Sequence, residues 1–223
     1  MAEDLLLLLL DDEKGAVTSM VSVPTVLGGA VLVELAMGGH VTVEKTSAWR
    51  SSKVRPVDGR EPPMDPVLVD ALATISAKER AAHDLVDRLG KGLRDTLADR
   101  LVERGVLERR DDKVLGLFPR TRWPAADTAH EDAVRLRLRA ALVEGADPDE
   151  RTGALAALLH AVDMAHKVVD RGPVSARDVR KRAKALAEGQ WAAEAVRDAV
   201  MAATAVTVAA TVAATSAATT GSS

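Results

Sequence analysis

The fold of this chain is decided near its start by EDLLLLLLDDEKG, residues 3–15, and by GGAVLVELAMGG, residues 28–39. Six consecutive leucines between carboxylates are too apolar to form a loop. The second block has the composition of a helix with glycine at each end. It runs into the alternating segment His40–Glu44, which is typical of a short strand. Both blocks therefore predict regular secondary structure around an apolar core.

The composition excludes several classes of protein. Among 223 residues there are one Phe, three Trp, no Tyr and no Cys. The core must be aliphatic, platforms for base stacking are not expected, and disulfides and thiolate chemistry are excluded. A net charge of −3 gives no general attraction to nucleic acid or anionic lipid, so any such contact needs a local cationic patch.

No segment has the pattern of a membrane span or a signal peptide. The leucine run is shorter than the roughly 20 apolar residues that a span needs, and acidic rather than basic residues precede it. Residues 199–223 carry no charge, but Ala and Thr contribute little to insertion. We expect a cytoplasmic protein whose C-terminal region is a packed helix, with residues 216–223 as a disordered polar tail.

Helix start and stop signals recur along the chain. Asp65-Pro66 and Ser175–Asp178 have the form of N-terminal caps, Ser76–Glu79 has capping-box spacing, and Gly105 is a typical helix stop. One long helix is predicted from Asp147 to about Val169. Seven to nine helices are expected in all, which predicts a mainly α fold.

Two β signals interrupt this pattern. One is Val41–Glu44, and the other is a hairpin from Val106 to Phe118 with its turn at Arg110–Lys113. The segment Trp49–Pro66 is polar and rich in Pro, Arg and Ser, and it is predicted to be an exposed connection. The prediction is one globular multi-helix domain, residues 1–215, with a projecting β-hairpin.

Two groups of residues are candidates for binding. Lys91 and Arg94, three residues apart, are predicted to lie on one helical face near the helix N-terminus, where a phosphate would be favoured. The alternative is a solvated face whose cations pair with nearby carboxylates. The second group combines apolar residues of the hairpin with flanking cations and Trp123, which suits a lipid–water interface; its members are Leu115, Leu117 and Phe118. The alternative is that they pack onto the core.

Catalysis and metal binding have little support in the sequence. No phosphate loop, nucleophile elbow or paired-carboxylate site is recognisable, so we expect no enzyme and no cofactor. His160, Asp163 and His166 have i, i+3, i+6 spacing, but the last position is rotated by about 120° from the first on a helix. We therefore predict no metal site there; His160 should be half-buried, and Asp163 and His166 exposed.

A DNA-binding fold is an alternative from the same residues. A helix ending at Leu101–Leu107 and followed by a charged hairpin is also the pattern of a winged helix. The acidic overall charge argues against it, and no nucleic-acid partner is expected.

The order and spacing of four blocks resemble the Golgi phosphoprotein 3 family over roughly residues 3–205. The blocks are Leu5–Gly15, Gly28–Glu44, Leu101–Leu107, and the segment with Arg151-Thr152, Ala154-Leu155, His160 and Asp163. The resemblance implies a largely helical domain with a projecting hairpin. It also implies that the domain binds phosphatidylinositol 4-phosphate. High usage of Ala, Val, Arg and Asp is typical of a bacterial branch.

In the family the headgroup is held by a Trp and an Arg before the Gly-Gly pair and by two Arg before the hairpin. The last two positions match Lys91 and Arg94, whereas the Arg before Gly-Gly is replaced by Leu27 and residues 17–26 contain no aromatic residue. The resemblance implies a peripheral protein at the cytoplasmic face of a membrane, with anionic phospholipid as its partner. Affinity from such weak contacts should be modest and raised by oligomerisation, so homo-oligomers are expected. A protein-interaction adaptor without lipid binding is the alternative.

Overall fold

The architecture is a set of helices packed around one central helix, with two small antiparallel ribbons. The computed structural model describes residues 1–10, 23–44, 52–114, 118–189 and 198–208, and for residues 112–114 and 118–120 the backbone alone. Its helices are α1 (Ala2–Leu9), α2 (Val23–Met37), α3 (Pro66–Ala77), α4 (Ala82–Gly90), α5 (Leu93–Glu103), α6 (Ala129–Leu142), α7 (Glu150–Ala161), α8 (Ala176–Glu188) and α9 (198–208). The strands are β1 (Val41–Glu44), β2 (Lys53–Pro56), β3 (Arg110–Val114) and β4 (Phe118–Arg122). The mainly α prediction is confirmed.

The leucine run forms α1, which lies in the core. Leu5–Leu10 are all buried, with Leu5 and Leu6 fully inaccessible. A helix that is apolar on every side is stable only when other elements surround it, and α1 packs against α2, α5 and α6.

Helix α2 is the centre of the fold. It begins at Val23, five residues before the Gly-Gly pair, so Gly28 and Gly29 lie inside the helix and not at its start as predicted. Twelve of its residues are buried, and α1, α3, α4, α5 and α7 all pack on it. Within it, Gly28 lies against α4 and Gly29 against α9.

The two ribbons correct two predictions. Strand β1 pairs with β2, so part of the segment predicted as an exposed connection is a strand. In the second ribbon, β3 pairs with β4 from Arg110↔Arg122 to Val114↔Phe118. The residues predicted as the turn, Arg110–Lys113, therefore belong to the first strand. A two-stranded ribbon in solvent needs no apolar alternation, so the charged residues gave no strand signal.

Local capping chemistry sets several helix starts. The Asp65 carboxylate accepts a hydrogen bond from the Val67 amide at 2.9 Å, and the Ser175 hydroxyl accepts one from the Asp178 amide at 3.1 Å, as predicted. The capping box at Ser76–Glu79 is wrong, because α3 runs to Ala77 and α4 begins at Ala82. The cap of α7 is Asp149, two residues after the predicted start.

The C-terminal region of the described chain packs as predicted. In α9, Ala199, Val200, Ala202, Ala203 and Val206 are buried. No helix among the described residues is long and apolar enough to cross a membrane. The predicted tail and the predicted domain limit at residue 215 lie beyond the described residues.

Candidate functional site

The candidate site lies where α4 ends and α5 begins. Lys91 is the C-cap residue of α4, and its backbone is extended. Gly92 is the N-cap of α5 with φ 74°, a left-handed conformation that glycine adopts without steric cost. Arg94 is the second residue of α5. The prediction that Lys91 and Arg94 share one helical face is therefore wrong, because a glycine turn separates them, but both lie at the N-terminus of α5.

The first turn of α5 has no side-chain cap. Gly92 has no side chain to accept hydrogen bonds from the amides of the first turn. Such amides, together with the helix dipole, favour an anion. Asp95 adds one negative charge in the same turn.

A cleft of about 180 Å³ lies beside Lys91, between α2, α3, α4 and α5. Two cations line it, Arg88 and Lys91, together with the polar residues Thr74, Thr96 and Asp70. Aliphatic residues complete the lining: Val31, Val67, Ala71, Leu89 and Leu93. Sequence reasoning missed Arg88, although its position three residues before Lys91, in the last turn of α4, was a usable signal.

Ion pairing distinguishes among the cations near the hairpin. Arg100 pairs with Asp65 at 2.8 Å and Arg104 pairs with Glu3 at 2.5 Å. Hydrogen bonding to Asp65 raises the pKa of Arg100 despite opposing burial. Both guanidinium groups are therefore already paired with carboxylates of the protein.

Two further cations near the hairpin, Arg109 and Arg110, are paired as well. Arg109 lies 3.6 Å from Asp99, and Arg110 pairs with Glu108 at 2.8 Å. Within the described chain, Lys91 and Arg94 make no ion pair, so the alternative of a fully paired face does not hold for them.

Arg94 instead contacts an aromatic ring. Its guanidinium carbon lies 4.7 Å from the centroid of the Trp123 ring. Trp123 is 4% exposed, so this contact is largely shielded from water. It joins the N-terminus of α5 to the base of the hairpin.

The hairpin is attached to the domain at that base. The Glu108 amide donates to the Pro124 carbonyl at 2.9 Å, and Leu107 and Ala125 form an isolated bridge. Beyond the base, five residues of each strand pair, a length of about 17 Å at about 3.4 Å per residue. Leu115 and Leu117 lie outside the described residues, and of Phe118 only the backbone is described.

The position that carries Arg in the family does not face the cleft. Leu27 is fully buried within α2 and does not line the cleft. Residues 11–22, where the family has its Trp, lie outside the described residues. The candidate site therefore depends on α4 and α5.

His160, Asp163 and His166 do not lie on one helix. Helix α7 ends at Ala161, and Asp163 has φ 53°. Asp163 pairs with Arg180 at 2.7 Å, and His166 is 9% exposed, buried rather than exposed as predicted. No group of side chains that could hold a metal ion occurs among the described residues.

The exposed face of α5 does not suit a DNA groove. It presents the carboxylates of Asp95, Asp99 and Glu103 to solvent. Arg100 and Arg104 are engaged with Glu3 and Asp65. Phosphate contacts need available cations, so this distribution of charge argues against the winged-helix alternative.

Comparison with known proteins gives a family match over nearly the whole chain. A family model described as Golgi phosphoprotein 3 (GPP34) matches residues 1–203. No individual curated protein matches. The matched region contains α1 to α8, both ribbons and the α4–α5 junction. The chain belongs to the Golgi phosphoprotein 3 family.

Proposed function

We propose that this protein associates with membranes by binding anionic phospholipid headgroups, of the phosphatidylinositol 4-phosphate kind, at the α4–α5 junction. It acts as a peripheral binding protein at the cytoplasmic face, without catalysis. Family membership supports a role in membrane or protein interactions. The specific headgroup site is our own inference from the geometry.

One observation carries the proposal. Lys91 is exposed, makes no ion pair with the described residues, and lies between an uncapped helix N-terminus and a cleft that Arg88 also lines. A phosphate there would gain amide hydrogen bonds and cationic contacts together. The Thr74 and Thr96 hydroxyls and the Asp70 carboxylate add partners for the hydroxyl groups of a polyol headgroup.

The hairpin supplies the second membrane contact. Its base is held beside Arg94, and the chain between its strands is Leu115-Gly116-Leu117, followed by Phe118. We propose shallow insertion of these apolar residues next to the headgroup site. Each contact contributes only about 1 kcal/mol, so affinity is modest, sensitive to salt and raised by homo-oligomers.

Co-sedimentation with liposomes tests the proposal. Neutral phosphatidylcholine vesicles are compared with vesicles that also carry phosphatidylinositol, its 4-phosphate or cardiolipin. Lys91→Ala should weaken binding to anionic vesicles about fivefold. The matched control is Lys181→Ala, which removes an exposed cation from α8 and should leave binding unchanged. If the wild-type protein stays in the supernatant with every lipid, the proposal fails.

A protein-interaction adaptor is the second candidate. It is favoured by two exposed apolar side chains beside the cleft-lining helix α3: Met64, just before the helix, is fully exposed, and Val69, within it, is 40% exposed. If no vesicle is bound, a protein partner at this surface becomes the better proposal. Met64→Ser would then reduce capture of that partner without changing the fold.

A further inference from the structure

The Arg94 side chain is already engaged inside the protein. Its guanidinium lies over Trp123, and its Nε is buried with no hydrogen-bond partner among the described residues. The Trp123 ring is likewise buried, and its Nε1 has no partner there. A cation held on a shielded ring is attracted more strongly than one in water. If the Arg94 side chain moved to contact a headgroup, its contact with the Trp123 ring would be lost.

That contact lies at the attachment of the hairpin. Trp123 directly follows β4, which ends at Arg122. On either side of the attachment, the Pro124 carbonyl accepts from the Glu108 amide and the Ala126 amide donates to the Val106 carbonyl, both at 2.9 Å. The Arg94–Trp123 contact thus fastens this base to the first turn of α5.

Arg88 has the properties that Arg94 lacks. It is exposed in the last turn of α4 and makes no ion pair with the part of the chain that the structure describes. It lines the same cleft as Lys91. Its planar guanidinium can make bidentate contacts with a phosphate, which lysine cannot.

We propose that Arg88 and Lys91 are the two cations that contact the headgroup phosphate in this chain, and that Arg94 is a positioning residue that fastens the hairpin base to α5 through Trp123. The first half of this inference rests on the proposed function. The second half concerns the protein alone and holds without any lipid.

Two readouts separate these roles. The first is co-sedimentation with phosphatidylcholine vesicles that contain phosphatidylinositol 4-phosphate. The second is hydrogen exchange by mass spectrometry on peptides covering residues 106–126, without lipid. Arg88→Ala and Lys91→Ala should each weaken vesicle binding about fivefold and leave exchange unchanged. Arg94→Ala should accelerate exchange of the Glu108 and Ala126 amides.

Two further variants control the experiment. Arg94→Lys keeps a cation over the ring, so it should fold and give intermediate exchange with near wild-type vesicle binding. Arg109→Ala removes an exposed cation that pairs with Asp99 at the same hairpin, and it should leave exchange unchanged.

Three results would overturn the inference. Wild-type vesicle binding by Arg88→Ala would remove Arg88 from the site. Wild-type exchange in Arg94→Ala, with binding reduced as in Lys91→Ala, would make Arg94 a headgroup contact. If the wild-type protein binds no vesicles, the proposed function and the role of Arg88 fail together, and exchange still decides the role of Arg94.

Discussion

A β-carbon on Gly28 would lie 2.8 Å from the backbone nitrogen of Gly90, so α2 and α4 cross in backbone contact. The relationship holds from both sides, because a β-carbon on Gly90 would lie 1.8 Å from the Pro24 carbonyl oxygen. Gly29 faces α9 instead, where a β-carbon would lie 2.9 Å from that of Ala203. The Gly-Gly pair therefore serves helix packing on two sides of α2.

Gly90→Ala should destabilise the fold. The new methyl group meets backbone atoms, which cannot rotate away as a side chain would, so the helices must separate. We expect a loss of about 2–3 kcal/mol in the free energy of unfolding, even though alanine is the better helix former by about 1 kcal/mol. Urea denaturation measures it. Ser76→Ala, at an exposed position of α3, is the control, and its free energy of unfolding should stay within about 0.5 kcal/mol of wild type. Equal stability of the two variants would contradict the close crossing of α2 and α4.

Arg151→Ala should destabilise the protein by removing ion pairs that hold α1. The Arg151 guanidinium lies 2.7 Å from the buried Asp4 carboxylate and 3.2 Å from Glu34. Removing it leaves a buried charge with fewer partners, and because Arg151 is itself 43% exposed, we expect a moderate loss of about 2 kcal/mol. Thermal unfolding is the measurement. Arg139→Ala, which breaks a more exposed pair with Glu144, should cost much less.

Asp4 should make the free energy of unfolding depend on pH in the acidic range. Burial acts to raise the pKa of Asp4, but the N-terminal ammonium, His130 and Arg151 outweigh it and hold the pKa at about 2, below the usual 3.8. The stabilisation is thus complete above about pH 4 and lost as pH falls toward 2, a contribution of about 2 kcal/mol. Urea denaturation from pH 5 downward should show this slope. The slope should be shallower in Asp4→Asn, and an identical slope would exclude Asp4 as its source.

His166 should add a second pH dependence. Its Nε2 lies 3.0 Å from the Arg180 guanidinium, which can only donate, so we infer a neutral ring with its proton on Nδ1. Burial and then Arg180, together with Lys167 and Arg171, lower the pKa of His166 against the opposing effect of Asp163. The neutral ring is therefore favoured by folding, and stability should fall as pH drops below the ordinary value of 6.5.

The variant His166→Gln tests this origin. Glutamine can accept a hydrogen bond from Arg180 but does not titrate, so the free energy of unfolding should be flatter between neutral pH and pH 5 than in wild type. An unchanged pH profile would show that another group titrates in this range. His83→Gln, at a more exposed position, serves as the control.

The hairpin residues should contribute to membrane binding and not to the fold. Leu117→Ser and Phe118→Ser should each weaken binding to anionic vesicles several-fold, because an apolar insertion is lost. Thermal unfolding temperatures should stay close to wild type. A large drop in thermal stability would instead support the alternative that these residues pack onto the core.

Short-range patterns in the sequence predicted much of the fold. Six leucines had to be buried, and Asp65 and Ser175 capped helices as expected, since a cap is a contact between near neighbours. The same reasoning failed in two places. The charged residues of β3 were predicted to be a turn, and a single helix was predicted across Asp163, where the chain turns. The sequence indicated Lys91, but it did not indicate the cleft that Arg88 and Lys91 both line, because a cleft formed by several helices has no signature along the chain.

The sequence by itself determined the helical class, the buried α1, the presence of a hairpin and the family, because these depend on composition, local periodicity and the order of motifs. Only the tertiary structure decided that Gly28 packs against α4 and Gly29 against α9, that Arg100 and Arg104 pair with Asp65 and Glu3, and that Arg94 lies on Trp123. Each of these is a contact between residues far apart in the chain. Which distant groups meet is fixed by the packing of helices around α2, and no local pattern records it.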